Sequence, residues 1–281
     1  MDRCADSYRI HYPSFFGGEV DHQGREQVGD FMGKSLVVES LSAFYGKQQI
    51  LYHVSMTMPE HQVTTIIGPS GAGKSTFVRC LNRLHETTPN ARMEGSVWLD
   101  HQNLYELDPI IVRRKVGMVF QAPNPFPTRT VFENVAAGLR LNGIRNKSII
   151  SEQVEKSLQL SSLWDEVKNS LHQPVWNLTR GQQQRLCIAR ALAIEPSVLI
   201  LDEPASTLDP LSSLKIEELV EELKSHYTIV LVTHNLQQAA RVADLTALFL
   251  DGELVEQGSP AELFTRPKDK RTEDYLTGRF G

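Results

Sequence analysis

The sequence predicts an α/β fold with a mostly parallel core sheet, an antiparallel β subdomain and an inserted α-helical subdomain. Three observations carry that prediction. Apolar runs without alternation recur as VTTII (63–67), VGMVF (116–120), SVLIL (197–201), TIVLVT (228–233) and TALFLD (246–251), the pattern of strands buried on both faces. The stretch LVVESLSAFYGKQQILYHVSMTM (36–58) instead consists of short β-branched segments broken at Tyr45-Gly46, which reads as antiparallel pairing. From about residue 132 to 195 the chain is mainly helical, including VFENVAAGLRL, SEQVEKSLQL and QQQRLCIARALAI, and that run is too long for an ordinary crossover.

In chain order, residues 1–34 are rich in Gly, Asp and His without a sustained period and are expected to be an N-terminal extension that is mobile or loosely packed. One folded body at 35–270 follows, with its helical subdomain at about 122–195, and then a tail at 271–281. The 281 residues are 41% hydrophobic, enough for a sizeable core. With 29 Lys+Arg against 34 Asp+Glu the net charge is -5, so no broad positive field invites nucleic acid and none is expected as a partner. Cys4, Cys80 and Cys187 are far apart and contain no CxxC pair, which argues against a structural metal or dithiol chemistry and for a reducing compartment. The first residues lack a continuous apolar core, so secretion is not expected. The longest apolar runs fall far short of the roughly 20 residues that cross a bilayer, so work at a membrane would go through a partner.

The strongest chemical signal is GPSGAGKST: Gly68, Pro69, Ser70, Gly71, Ala72, Gly73, Lys74, Ser75 and Thr76. It lies between an apolar strand and a helix. Small residues let the backbone curl until its N–H groups converge on an oxyanion; Lys74 adds a positive charge, and the hydroxyl of Ser75 can ligate Mg²⁺. The helix that begins there points its positive end at the same place. VLILDEP (198–204) ends a strand in two acids: Asp202 is placed to hold Mg²⁺ through water, and Glu203 to polarise an attacking water. Gln121 and His234 also end apolar strands, where parallel sheets gather their functional groups; the Gln can orient Mg²⁺ or water and the His can donate to a phosphoryl group. Tyr45 could stack on a base or simply be partly buried.

Together with LTRGQQQR (178–185), LDEP (201–204) and STLDP (206–210), these residues resemble, in order, the motifs of ATP-binding-cassette ATPases of the P-loop NTPase class, over about residues 35–270. The resemblance implies ATP and Mg²⁺ as cofactors and a head-to-tail homodimer. Each ATP would lie between one chain's phosphate loop and the other chain's signature segment, Leu178, Thr179, Arg180, Gly181 and Gln182. It further implies adenine stacking by Tyr45, communication across the interface by Asp209, and γ-phosphate sensing by His234. FQAPNPFPTRTVFENVAAGLRLNG (120–143), DEVKNSLH (165–172) and QQQRLCIARALAIEPSVLILDEP (182–204) are similar to the ATP-binding subunits of bacterial high-affinity phosphate importers. That narrower likeness implies two transmembrane permease subunits facing the segment after Gln121, a periplasmic phosphate-binding protein, and a peripheral place on the cytoplasmic face of the inner membrane.

The chain departs from the family's usual L-S-G-G-Q at Arg180. Thr179 keeps a hydroxyl and Gly181 a close backbone approach; the arginine is tolerated where its fork turns away or adds a cationic contact, and lineage drift is the plainest reading of the change. An arginine there would be harmful where the backbone needs positive φ, or where its side chain blocks closure. An importer for another solute, a soluble cassette acting on DNA or ribosomes, and an ATP-binding switch with weak hydrolysis are the competing readings.

Overall fold

The computed structural model describes residues 33–279, so the expectation for residues 1–34 lies outside it except at Gly33 and Lys34. Gly33 donates its N–H to the His226 carbonyl at 3.0 Å, and Lys34 pairs with Asp100 at 3.2 Å. Strands β1 (Leu36–Tyr45) and β2 (Gln48–Met58) form the hairpin expected around Gly46. Strand β3 (Val63–Ile67) passes through the glycine loop into helix α1 (Lys74–Leu81). Strands β4 (Ala91–Leu99) and β5 (Gln102–Asn103) return to the hairpin, and α2 (Pro109–Lys115) leads into β6 (Val116–Val119).

Four helices follow: α3 (Val131–Leu141), α4 (Lys147–Leu160), α5 (Trp164–Val167) and α6 (Arg180–Leu192). Then β7 (Val198–Asp202), α7 (Pro210–Leu223), β8 (Thr228–Val232), α8 (Leu236–Val242) and β9 (Leu245–Leu250) alternate. The last elements are β10 (Glu253–Gly258), α9 (Pro260–Thr265) and α10 (Lys270–Leu276). The fold is thus the expected α/β arrangement. One antiparallel sheet has the order β2-β1-β4-β5; the other, β10-β9-β3-β8-β7-β6, is parallel except for β10 against β9.

Every residue of β3, β7 and β8 is buried, which is why these strands carry unbroken apolar runs. Fully burying one such side chain stabilises the fold by roughly 1.5–3 kcal/mol relative to leaving it exposed. The register matters for function. Ile66 lies opposite Val232, Asp202 opposite Val232, and Val119 opposite Leu201. The parallel strands therefore end level, and the loops after β3, β6, β7 and β8 leave from one edge. Behind that edge, Phe77 of α1 stacks tilted on Phe249 of β9 with ring centroids 5.0 Å apart, which seats the helix under the glycine loop.

Two elements differ from the simple pattern. Strand β4 alternates poorly because Gly95 sits at φ 99° beside a register shift in β1; a Cβ there would lie 2.6 Å from the Glu39 and Ser40 carbonyls. At the other end, α10 straddles the tail boundary drawn at 270. Thr272 is buried, and the Glu256 carboxylate accepts the backbone N–H groups of Lys268 at 2.8 Å and Asp269 at 3.1 Å.

Candidate functional site

Glycine is required at Gly68 for two reasons. Its φ is 145°, and a Cβ would sit 2.1 Å from the carbonyl oxygen of Phe249. Gly73, at φ 91°, ends the loop just before α1, with a would-be Cβ 2.7 Å from the Leu51 side chain. Helix α1 has no side-chain cap and no acid in its first turn, so its leading N–H groups and positive dipole end remain available to an anion. Its first residue, Lys74, is buried and donates from Nζ to the carbonyls of Gly68 and Pro69, both at 2.8 Å. Burial pulls the Lys74 ammonium below the ordinary lysine range, while the carboxylates of Glu203 and Asp202 act in the opposite direction.

Asp202, the last residue of β7, is buried and accepts from Ser75 Oγ at 3.3 Å. Burial raises its carboxyl above the usual range; the Ser75 bond and the charges of Arg79 and Lys74 counter this, and Glu203 adds to it. A hydroxyl and a carboxylate at the foot of an anion loop form a hard-oxygen donor set. That set suits Mg²⁺, an ion that takes one or two protein ligands and keeps water and phosphate for the rest. The described residues contain no cluster of three or more His, Cys, Asp or Glu able to hold an ion without such help.

Glu203 is the centre of the site. It has φ 49°, a left-handed conformation that costs a non-glycine residue about 1–3 kcal/mol and is held here by its N–H donating to the Val232 carbonyl at 2.9 Å. Gln121 Nε2 donates to Glu203 Oε2 at 3.1 Å, and His234 Nδ1 meets the same oxygen at 3.1 Å. Residues from the ends of β6, β7 and β8 thus converge on one carboxylate oxygen. His234 is itself steadied from behind. Thr233 Oγ1 donates to Gln238 at 2.7 Å and accepts from Asn235 N at 3.0 Å, and Asn235 caps α8.

The second group of sequence-predicted residues is separate. Thr179 Oγ1 accepts from Gln182 N, and Gln182 Oε1 accepts from Thr179 N, a reciprocal cap at the start of α6 that still leaves the hydroxyl proton to donate. Arg180 is the first residue of that helix, exposed and not at positive φ, so the backbone objection to an arginine here does not apply. Leu178 offers its carbonyl to Gln183 Nε2 at 3.0 Å. Asp209 caps α7, accepting from Ser212 N at 3.0 Å and Ser212 Oγ at 2.6 Å; these bonds hold its carboxyl below the usual range. Among the described residues no hydrogen bond or ion pair joins 178–182 to the group at 68–76, 121, 202, 203 and 234. Tyr45 belongs to neither group; it ends β1, half-buried.

Sequence reasoning missed several supports. Gln184 Nε2 donates to the Phe120 carbonyl at 2.9 Å, tying α6 to the residue before Gln121. Arg190 holds Asn124 through the carbonyl at 3.0 Å and the side chain at 2.7 Å. Tyr275 of α10 shares a hydrogen bond with the backbone of Gly68. The QQQR run hinted at the first of these; nothing local signals the last.

Residues 51–206 match the family model described as ABC transporter. The chain is 57% identical over 253 residues to the phosphate import ATP-binding protein PstB of Koribacter versatilis (strain Ellin345), a match covering 89% of this chain and 100% of that one. Among solved structures it is similar to a bacterial Atm1-family ABC exporter with ATP bound, at TM-score 0.73 and 26% identity. That likeness spans 89% of this chain and 42% of the exporter. It is also similar, at TM-score 0.69 and 28% identity, to the ATP-binding cassette MJ0796 in a dimeric post-hydrolysis state bound to ADP and Pi, covering 80% of this chain and 98% of the other.

Proposed function

This chain belongs to the ABC transporter family, and we infer that it is the ATP-hydrolysing subunit that energises a phosphate importer. It binds ATP and works as a dimeric ATPase peripheral to membrane permeases; no helix of the described residues is long and apolar enough to cross a membrane. The finer reading follows from the site. The amides of 68–76 and the Lys74 ammonium hold the β- and γ-phosphates. Ser75, Gln121 and, through water, Asp202 would hold Mg²⁺, which would supply charge neutralisation at the phosphate oxygens. Glu203 orients and polarises the water that attacks in line, Gln121 and His234 fix the angle of its carboxylate, and His234 senses the γ-phosphate. Tyr45 stacks on adenine. A second copy supplies Leu178, Thr179, Arg180, Gly181 and Gln182 as the cap on the triphosphate, and Asp209 signals across the interface.

The observation that carries this reading is the meeting of Gln121 and His234 on one oxygen of Glu203, beside the Ser75–Asp202 pair. Two permeases dock against the groove lined by Phe126, Leu141 and Arg113, where the apolar side chains of Phe126 and Leu141 lie exposed. A periplasmic phosphate-binding protein delivers the solute, and the subunit sits on the cytoplasmic face of the inner membrane. The transported phosphate crosses through the permeases and need not touch this chain. The test is ATP hydrolysis by the subunit co-purified with its permeases in vesicles. Stimulation by phosphate with its binding protein supports the assignment; stimulation by a different solute only, or no hydrolysis, refutes it.

A further inference from the structure

We propose that Ser212 is a positioning residue that sets the height of the signature segment over the Asp209 turn, and that Gly181 is glycine to make room for it. This rests on the reading that residues 178–182 and Asp209 act on a nucleotide held by a second copy. Gly181 is the second residue of α6 and is not at positive φ, so its backbone does not demand glycine. Nothing in its backbone conformation therefore favours glycine over alanine, and the reason lies in the space around it. A Cβ at 181 would lie 2.5 Å from Ser212 Oγ and 2.9 Å from Ser212 Cβ, closer than real contacts allow. That hydroxyl cannot swing away at no cost. It donates to Asp209 Oδ2 at 2.6 Å while Ser212 N donates to Asp209 Oδ1 at 3.0 Å.

A second tie joins the same helices independently. The Glu166 carboxylate of α5 accepts from Gln182 Nε2 at 2.8 Å, from Arg185 Nη2 at 2.9 and 3.0 Å, and from Lys215 Nζ of α7 at 3.1 Å. Gln182 also accepts from Thr179 N at 2.8 Å. The cap of α6 and the cap of α7 are therefore seated on each other within one chain. An added methyl at 181 pushes them apart and misaligns Thr179 and Asp209 together, with the chain's own phosphate loop untouched.

The test is a double-mutant cycle of Gly181→Ala and Ser212→Gly, read as ATP turnover of the subunit–permease complex. In parallel, ATP-driven dimerisation of the subunit is measured in a Glu203→Gln background, together with nucleotide affinity of the isolated subunit. Gly181→Ala is expected to lower turnover and dimerisation at least tenfold while affinity stays within twofold, and Ser212→Gly added to it restores both to within threefold of Ser212→Gly alone. A Gly181→Ala chain recovered in soluble form only when Ser212 is replaced supports the proposal equally. Loss that Ser212→Gly does not relieve, a harmless Gly181→Ala, an equal loss of affinity, or insolubility in both backgrounds overturns it. Absence of turnover in the unmutated complex removes the transport reading, and the dimerisation cycle, which needs no hydrolysis, then decides whether Ser212 positions the segment.

Discussion

The phosphate-loop side and the signature side of this chain are built on opposite principles. Around residues 68–76, 121, 202, 203 and 234 the structure stores cost: a buried ammonium, a buried carboxylate and a left-handed Glu203, all aimed at one edge of the sheet. Around 178–182 and 209 the capping groups are already engaged within the chain: Thr179 with Gln182, Asp209 with Ser212, Gln182 with Glu166 of α5. The first region binds and reacts; the second is a finished surface shaped for another copy. Preorganisation at a reacting centre is expensive because charge must be kept from water, whereas a recognition surface needs only a fixed shape.

The largest effect expected from this contrast is at Glu203. Changing Glu203→Gln should lower turnover by about 10²–10⁴-fold with ATP binding retained, and turnover within twofold of the parent would remove the general-base role. Next comes Gly68→Ala, which drives a methyl into the Phe249 carbonyl; a loss of about 3–5 kcal/mol in denaturant melts is expected, together with loss of nucleotide binding. Gly71→Ala, at φ 83° with open space around it, should cost only about 1–2 kcal/mol, so a reversed order would break the account of the loop.

A pH series sharpens the comparison further. Because burial depresses the Lys74 pKa, a chain without ligand loses that positive charge at a lower pH than an ordinary lysine does, and a bound triphosphate favours the charged form. As pH rises, ATP affinity should therefore begin to fall at a lower pH than the titration of an ordinary lysine would allow, with proton uptake on binding, and calorimetry in buffers of different ionisation enthalpy measures it. Affinity that falls only over the range in which an ordinary lysine titrates would contradict the lowered pKa. The smallest effect is expected on the signature side. Arg180 is exposed at the first turn of α6, so Arg180→Gly should leave ATPase activity equal or somewhat higher, and a large loss would mean the arginine works in the site.

Much of the reacting half is legible in the primary structure because its chemistry is local. GPSGAGKST follows its strand and opens its helix, and Gln121, Glu203 and His234 each follow an apolar run, fully buried in β7 and β8 and mostly buried in β6. The level ending of β6, β7 and β8 turns that local information into a cluster. Contacts between helices are a different matter. Ser212 against Gly181 and Lys215 against Glu166 join residues 31 and 49 positions apart on elements whose crossing no periodicity encodes. The strand around Gly95 was hidden by its bulge, and α10 by a charged sequence that buries little besides Thr272.

The central claim is that one chain's phosphate loop is closed by another chain's signature segment. It is tested most directly by joining Ser70→Cys to Thr179→Cys with a short thiol cross-linker, in a chain also carrying Cys4→Ser; Cys80 and Cys187 are buried and remain. With ATP in the Glu203→Gln background, the account predicts linkage between two copies, seen as a dimer under denaturing conditions and absent without nucleotide. Linkage within a single chain, or none in the ATP-bound state, would contradict it.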